Sequence, residues 1–176
     1  MAGGFRIAPG DLALRRLKWL AIGAGMVVAL VLGAGQFNLF QGTPPGDLGV
    51  RDGRLKGPSD TPNSVSSQAR LWPEHPQRDY ADIAPLSLRG DGAETIARLQ
   101  ALMHSEPGAS IVESRPDYLR VEFTTPLMKF VDDVEFWFDP ATGAIQVRSA
   151  SRVGRKDFGV NRQRVERLRA RLAEAP

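Results

Sequence analysis

The longest apolar stretch of the chain lies close to its start. Residues 19–46 contain no charged side chain, and residues 17–40 are rich in Leu, Val, Ile, Ala and Gly. About 20 apolar residues, at a rise of about 1.5 Å each, cross a hydrocarbon core of about 30 Å. The pattern therefore predicts a transmembrane helix over residues 19–40, with Trp19 at one membrane interface.

The charges that flank this segment predict its orientation. Residues 15–18 carry three basic side chains, and the first charge after the segment is Asp47. Because cytoplasmic flanks are enriched in Lys and Arg, we expect residues 1–18 in the cytoplasm and the C-terminal domain in the periplasm or another extracytoplasmic space. The long segment before the apolar run and the length of the run itself favour an uncleaved signal anchor. The alternative is a signal peptide cleaved at the small residues Ala34-Gly35.

Small residues recur along the predicted membrane helix. Ala21, Gly25, Ala29 and Gly33 are spaced by four residues, which places them on one helix face. Such a face lets two helix backbones approach closely, so one interpretation is a partner helix or self-association. The alternative is that Ala and Gly are common in membrane helices in general.

A linker and an irregular arm follow the membrane segment. Residues 41–50 contain two adjacent prolines and three glycines, which predict a linker. Residues 51–82 show little periodicity and contain four prolines, so we expect an irregular arm laid over the domain. The domain itself, including this arm, is predicted over residues 51–172.

Periodicity after the arm predicts strands and two helices. Asp91 and Glu94 have the spacing of a capping box before one helix, and Asn161 is expected to cap the last helix. Alternation predicts strands at residues 83–88, 109–114, 118–125, 130–138 and 144–149. The expected fold is α+β, with an N-terminal transmembrane helix followed by a small antiparallel sheet of four to five strands and two helices on one face.

Composition removes several classes of function. The net charge of +3 comes entirely from residues 1–18, so the neutral remainder argues against nucleic acid as a partner. The chain has no cysteine, which excludes disulfides, zinc–thiolate sites and thiol catalysis. No P-loop, dinucleotide fingerprint or nucleophile elbow is present, so no cofactor is predicted.

Charge is uneven within the domain. From Arg148 onward the chain has nine basic residues and three acidic ones, which indicates pairing with acidic strands or a surface for anionic lipid or polymer.

Alternation leaves one face of the predicted sheet polar. That face carries side chains from three strands, namely Tyr118, Arg120, Glu122, Thr124, Asp133, Glu135, Trp137, Gln146 and Arg148. One interpretation is a solvated charge ladder, because opposite charges across strands stabilise a sheet. The other is a binding groove with aromatic walls. Asp133 and Glu135 share the face, so they are also candidates for the acid–base pair of a hydrolase, as in glycoside hydrolysis.

Asp132 is the exception to the apolar alternation of its strand. It falls on the apolar face, where a buried carboxylate needs a cation. Arg148 and Arg152 are the nearest candidates along the chain. Because neighbours on a strand point to opposite faces, Asp132 and Asp133 cannot share an ion, and no metal site is predicted.

The run from residue 148 to residue 161 is unusually rich in hydrogen-bond donors. It links the last strand to the last helix through two glycines. Backbone amides at the start of that helix, with Arg152 and Arg162 nearby, predict an anion site. The alternative is a rigid loop that caps the helix and pairs its arginines with the acidic strands.

Three runs together resemble a known family. Residues 61–68 (TPNSVSSQ), 130–136 (FVDDVEF) and 148–162 (RSASRVG and DFGVNR) resemble the uncharacterised family catalogued as domain of unknown function 1499, over about residues 50–172. The resemblance implies a compact domain of bacterial and some plastid proteins, often preceded by a membrane segment, with no established activity. The residues it carries over as a candidate site are Asn63, Ser66, Gln68, Asp132, Asp133, Glu135, Arg148, Ser149, Ser151, Arg152, Asp157, Asn161 and Arg162.

The sequence leaves three functions open. The first is a membrane-tethered binding or scaffold module of the cell envelope, with an envelope protein or polymer as partner, because no recognised catalytic constellation is present. The second is a hydrolase that acts on an envelope polymer through Asp133 and Glu135. The third is a purely structural domain. Whether the chain is an enzyme is not decided by these patterns.

Overall fold

The computed structural model describes residues 9–174, and it begins with a long helix. Helix α1 spans Pro9–Gln36, and its segment Leu12–Gln36 is long and apolar enough to cross a membrane. The helix ends four residues before the predicted end of the span, because Asn38 takes a left-handed conformation (φ 62°) and closes a terminal turn. Residues 1–8 of the predicted cytoplasmic segment lie outside the described residues.

Five strands form one antiparallel sheet in the order β1-β5-β4-β3-β2. The strands are β1 (Ser64–Ser66), β2 (Ala109–Arg115), β3 (Tyr118–Thr124), β4 (Val131–Asp139) and β5 (Ala144–Ser151). Strands β2 to β5 match four predicted strands and confirm the α+β class. Strand β1 was not predicted, because three residues within a proline-rich arm are too short to show alternation.

The predicted strand at residues 83–88 does not form. Only Leu86 pairs, through two backbone hydrogen bonds with Ile145 at 2.9 and 3.0 Å. Pro85 precedes it, and a proline has no amide hydrogen to extend the ladder. The segment is therefore a single bridge at the sheet edge.

Two longer helices cover one face of the sheet, as predicted. Helices α3 (Gly92–Met103) and α4 (Val160–Glu174) contact each other and strands β4 and β5. Leu99 of α3 and Leu168 of α4 are fully buried in one core with apolar side chains of the strands. A short helix α2 (Arg78–Ala81) and a 3₁₀ turn (Ala69–Leu71) lie within the irregular arm.

The helix starts agree with the sequence at α3 but not at α4. Asp91 and Glu94 form the predicted capping box of α3. At α4 the Asp157 carboxylate accepts hydrogen bonds from the amides of Gly159 (3.1 Å) and Asn161 (3.0 Å), so Asp157 is the capping side chain. The prediction that Asn161 caps α4 is wrong, because Phe158 and Gly159, both with positive φ, form a turn between the cap and the helix.

Candidate functional site

Most of the polar face of the sheet is buried, although Arg120, Glu122 and Thr124 are only partly so. Glu135 and Arg148 are cross-strand partners, with 0% and 2% of their side chains exposed. Residues 47–57, named here the covering segment, lie over them: the Gly49 amide donates to Glu135 Oε1 at 2.6 Å, and Leu55 packs with Tyr118 in a small apolar cluster. The prediction of a solvated charge ladder is therefore wrong for the residues under the covering segment, because alternation shows which residues share a face but not what covers that face.

The ion pair under the covering segment is not closed. Arg148 Nη1 and Glu135 Oε2 are 3.9 Å apart, and neither atom has a hydrogen-bond partner among residues 9–174. Arg148 Nε donates to the Gly57 carbonyl at 3.2 Å. Burial lowers the pKa of Arg148, and burial raises the pKa of Glu135 despite the Gly49 amide and the Arg148 charge. The buried guanidinium thus keeps unused hydrogen-bonding capacity.

A second ion pair on the same face is closed. Arg152 donates Nε and Nη2 to the two carboxylate oxygens of Asp133, each at 2.8 Å, and Nη2 also donates to Glu122. This bidentate geometry is the strong form of an arginine–carboxylate pair. The hydrogen bond to Asp133 raises the pKa of Arg152. Asp133 therefore has both oxygens engaged.

An open hollow of about 500 Å³ lies between the covering segment and the end of β5. We name it the polar hollow, and its lining is Pro45, Lys56, Pro58, Ser59, Asp60, Thr61, Asn63, Asp133, Arg148, Ala150, Ser151 and Arg152. Each of the three sequence runs of the family resemblance contributes to this lining, through Asn63, Asp133 and Arg148 among others. Asn63 Oδ1 also has no partner among the described residues, while its Nδ2 donates to the Gly154 carbonyl at 2.7 Å. Two residues of the lining, Arg148 and Asn63, thus each keep one buried polar atom without a partner.

The opposite face holds a closed polar network beneath α4. Arg164 Nη2 lies 2.5 Å from Asp132 Oδ2, and Arg164 Nη1 donates to Asn161 Oδ1 (2.7 Å) and Ser149 Oγ (3.0 Å). The prediction that Arg148 or Arg152 pairs with Asp132 is wrong, since both point to the other face. No local pattern indicated Arg164, because its partner depends on how α4 packs on the sheet.

Asn161 extends this network to the first sequence run. Its Nδ2 donates to the Asn63 carbonyl (3.1 Å), Ser151 Oγ (3.1 Å) and Asp157 Oδ2 (2.9 Å). Asp157 also accepts from the Tyr80 hydroxyl. Burial opposes its ionisation, but the hydrogen bonds from Tyr80, Asn161 and Gly159 hold the pKa of Asp157 below its ordinary value.

The remaining predicted site residues hold the fold together elsewhere. Gln68 accepts from the Leu55 amide at 2.8 Å, and Ser66 Oγ accepts from the Gln68 amide at 3.2 Å, so both fasten the covering segment. Arg162 donates to the Tyr80 carbonyl at 2.6 Å, away from the polar hollow. Since the Asp157 carboxylate occupies the amides at the start of α4, the rigid capped loop describes this run better than the predicted anion site.

Sequence reasoning missed the parts of the site that come from distant segments. Gly49, Lys56, Tyr80 and Arg164 belong to no run of the resemblance, and their spacing along the chain carries no signal. Within residues 9–174 no group of three or more His, Cys, Asp or Glu side chains is placed to hold a metal ion.

The fold and the three converging runs define a small α+β domain behind one hydrophobic helix. The family described as Protein of unknown function (DUF1499) matches residues 54–172, more than half of the chain, and the chain belongs to this family. No curated protein and no solved structure matches the chain. The matched region contains all three runs, so the resemblance noted in the sequence is confirmed.

Proposed function

We propose that this chain is a membrane-tethered binding module of the cell envelope, and that its polar hollow binds an anionic group of an extracytoplasmic ligand. Helix α1 is the tether. The three basic side chains at residues 15–18 support a cytoplasmic N-terminus and an exported domain. Ala21, Gly25, Ala29 and Gly33 stay a predicted face for a partner helix.

Arg148 is the observation that carries the proposal. Its side chain is almost fully buried, it lines the polar hollow, and Nη1 finds no acceptor among residues 9–174. A buried charge without full hydrogen bonding costs several kcal/mol, on the order expected for ion burial. A carboxylate or phosphate in the hollow offsets that cost, because a guanidinium binds such groups at two donors.

Asn63 narrows the chemistry of the ligand. Asn63 lines the same hollow, and its buried, unpartnered Oδ1 accepts hydrogen bonds only. A ligand that satisfies both residues carries an anionic group close to a hydroxyl or an amide hydrogen. Acidic sugars and peptides of envelope polymers have this combination.

The two carboxylates favour binding over hydrolysis. Glu135 lies under the covering segment and does not line the polar hollow, whereas Asp133 does. Arg152 already engages both oxygens of Asp133. An acid–base pair must reach one substrate from two sides, and these two carboxyl groups are separated by the cover over Glu135.

The binding test uses the full-length protein in lipid nanodiscs. Calorimetric titration with phosphate, acetate and a soluble digest of envelope polysaccharide should show binding to at least one probe, and Arg148→Gln should weaken it by about tenfold or more, as expected for a hydrogen-bonded charge. Arg70→Gln, an exposed arginine outside the hollow, is the matched control and should bind as the wild type does. Equal affinity of Arg148→Gln and wild type, or binding of no probe, contradicts the proposal and favours a purely structural domain.

Orientation has a separate test. A reporter enzyme that is active only after export, fused at the C-terminus, should be active in cells. Activity of a cytoplasm-dependent reporter at the same position contradicts the proposed sidedness.

A further inference from the structure

One end of the domain lies against the C-terminal end of α1. Gln36, the last residue of α1, donates Nε2 to the Leu127 carbonyl at 2.9 Å. Phe40 contacts Phe130 with 5.7 Å between ring centroids. Gly35 packs so closely on Met128 that a Cβ there would lie 3.0 Å from the Met128 carbonyl oxygen. The turn between β3 and β4 is therefore held against the end of the predicted membrane helix.

A cleft of about 330 Å³ opens at this end, on the face of the sheet opposite the polar hollow. We name it the apolar cleft, and its apolar lining is Phe130, Val153, Phe158 and Val160. The two carboxylates on its wall, Asp132 and Asp157, already have partners in the network beneath α4. The free surface of the cleft is therefore mainly apolar, and its volume is in the range of small-molecule sites.

Large apolar side chains in the cleft and in the adjoining turn between β3 and β4 are exposed. Phe158 is 87% exposed and Leu127 is 59% exposed, while Val153 is also exposed. Phe158 has a positive φ of 52°, which a bulky residue rarely adopts. Phe37, directly after α1, is exposed at the same end. Clustered exposed apolar groups of this kind mark an interaction surface.

Basic side chains lie beside these apolar groups. Lys129 is in the turn between β3 and β4, and Arg155 and Lys156 are in the loop that carries Phe158. None of the three forms an ion pair with another residue in the described range 9–174. Apolar groups flanked by unpaired cations match the surface of an anionic membrane.

We propose that the apolar cleft and its flanking cations form a lipid-binding surface, which takes an acyl chain of an anionic lipid and seats the domain on the outer leaflet. The occupant is lipid because the cleft continues from the end of α1, where the bilayer surface lies. This inference rests on the proposed membrane tether, and it is independent of what the polar hollow binds.

The absence of cysteine allows single-label measurements on the full-length chain. Val153→Cys carries an environment-sensitive fluorophore in the lining of the cleft, and Leu127→Cys carries it in the turn between β3 and β4 next to the cleft. Val28→Cys carries it within α1, and Ala141→Cys carries it at the opposite end of β4. Nine strand residues separate the two ends by about 26 Å. In nanodiscs of phosphatidylglycerol brominated on its acyl chains, the labels at 127, 153 and 28 should be quenched at least twofold, and the label at 141 should not.

The outcomes separate this inference from the proposed function. Quenching at Val28→Cys without quenching at Leu127→Cys and Val153→Cys overturns the lipid surface but leaves the tether. A Val28→Cys label that is not quenched overturns the tether itself. Labels at the cleft that are shielded from a water-soluble quencher, yet unaffected by brominated lipid, indicate a covering protein and also overturn the inference.

Two sets of variants test the chemistry of the surface. Phe158→Asp should reduce quenching at Val153→Cys at least twofold, whereas Val112→Asp, an exposed valine on β2, should not change it. Replacing Lys129, Arg155 and Lys156 together by Gln should reduce quenching in phosphatidylglycerol and leave the smaller signal in phosphatidylcholine unchanged. Equal loss in both lipids, or no effect of Phe158→Asp, contradicts the proposed mode of binding.

Discussion

The two faces of the sheet carry buried ion pairs that differ in their hydrogen bonding. Beneath α4, Asp132 and Arg164 are 2.5 Å apart and the guanidinium has further acceptors. Beneath the covering segment, Glu135 and Arg148 are 3.9 Å apart with an unpartnered atom on each side. Both pairs are nearly inaccessible to solvent. Burial alone therefore does not distinguish a structural ion pair from a candidate binding group. The hydrogen bonds that each charged group makes, or lacks, do distinguish them.

The elements that cover the two faces also differ, in their regularity and in their apolar packing. Helix α4 is regular and packs into the main core through Leu168. The covering segment, residues 47–57, contains no helix or strand beyond a single bridge between Arg51 and Arg54, and its main apolar attachment is Leu55. Segments with few apolar contacts open at lower free energy than core helices. The open ion pair thus lies under the cover that is easier to displace.

The largest expected effect is on the closed pair. Arg164→Leu leaves the Asp132 carboxylate buried without its cation, so the free energy of unfolding should fall by about 3–5 kcal/mol. Thermal and denaturant unfolding of the full-length protein in detergent, followed by tryptophan fluorescence, measures the loss. The double variant Asp132→Leu with Arg164→Leu should recover most of the stability. If it is as unstable as the single variant, the ion pair is not the source of the loss.

Truncation of Leu55 should destabilise the covering segment without destabilising α4. Leu55→Ala deletes a buried side chain, which costs about 2–5 kcal/mol in a well-packed site. Hydrogen exchange should accelerate in residues 47–57 and stay unchanged in α4. Leu71→Ala, at a partly exposed leucine, is the matched control and should have little effect. Uniform acceleration across the sheet and α4 would mean that the two covers unfold as one unit.

The cap of α4 provides a test with a defined pH window. Asp157→Asn weakens the capping carboxylate and should lower the free energy of unfolding by about 0.5–2 kcal/mol near neutral pH. Because the folded protein lowers the pKa of Asp157 below 3.8, its contribution is present above that pH and is lost as the pH falls through the folded pKa. Melting curves of both proteins should therefore converge under acid conditions. A constant difference at all pH values contradicts this account.

The smallest change in stability is expected at Glu135, and its dependence on pH has the opposite sign to that of Asp157. Burial raises the pKa of Glu135 above 4.5, so the stability gained from its protonated form is present below pH 4.5 and is lost as the pH rises through the folded pKa. The stability of Glu135→Gln relative to wild type should consequently rise with pH over that window in a melting series. Asp133→Asn, in the closed pair with Arg152, is the comparison variant. The reverse slope for Glu135→Gln would show that its pair with Arg148 is closed after all.

Local patterns were enough for most of the helices and strands, with β1 among the exceptions. The apolar run of α1, the capping box at Asp91 and Glu94, and the turn that ends at Gly143 each depend on residues a few positions apart. The faces of β3 and β4 follow from alternation alone. Because these patterns extend over only a few positions, the predictions at residues 83–88 and at the cap of α4 were wrong. A proline interrupted the first pattern, and a left-handed turn interrupted the second.

The sequence by itself determined the class of fold, the hydrophobic N-terminal helix and five of the twelve residues that line the polar hollow. It determined neither the partners of those residues nor what covers them. Arg164 pairs with Asp132 from 32 positions away, and Gly49 covers Glu135 from 86 positions away. Such contacts depend on how a helix and an irregular segment pack on opposite faces of one sheet. Only the tertiary structure decided which buried charge was paired and which was left facing a hollow.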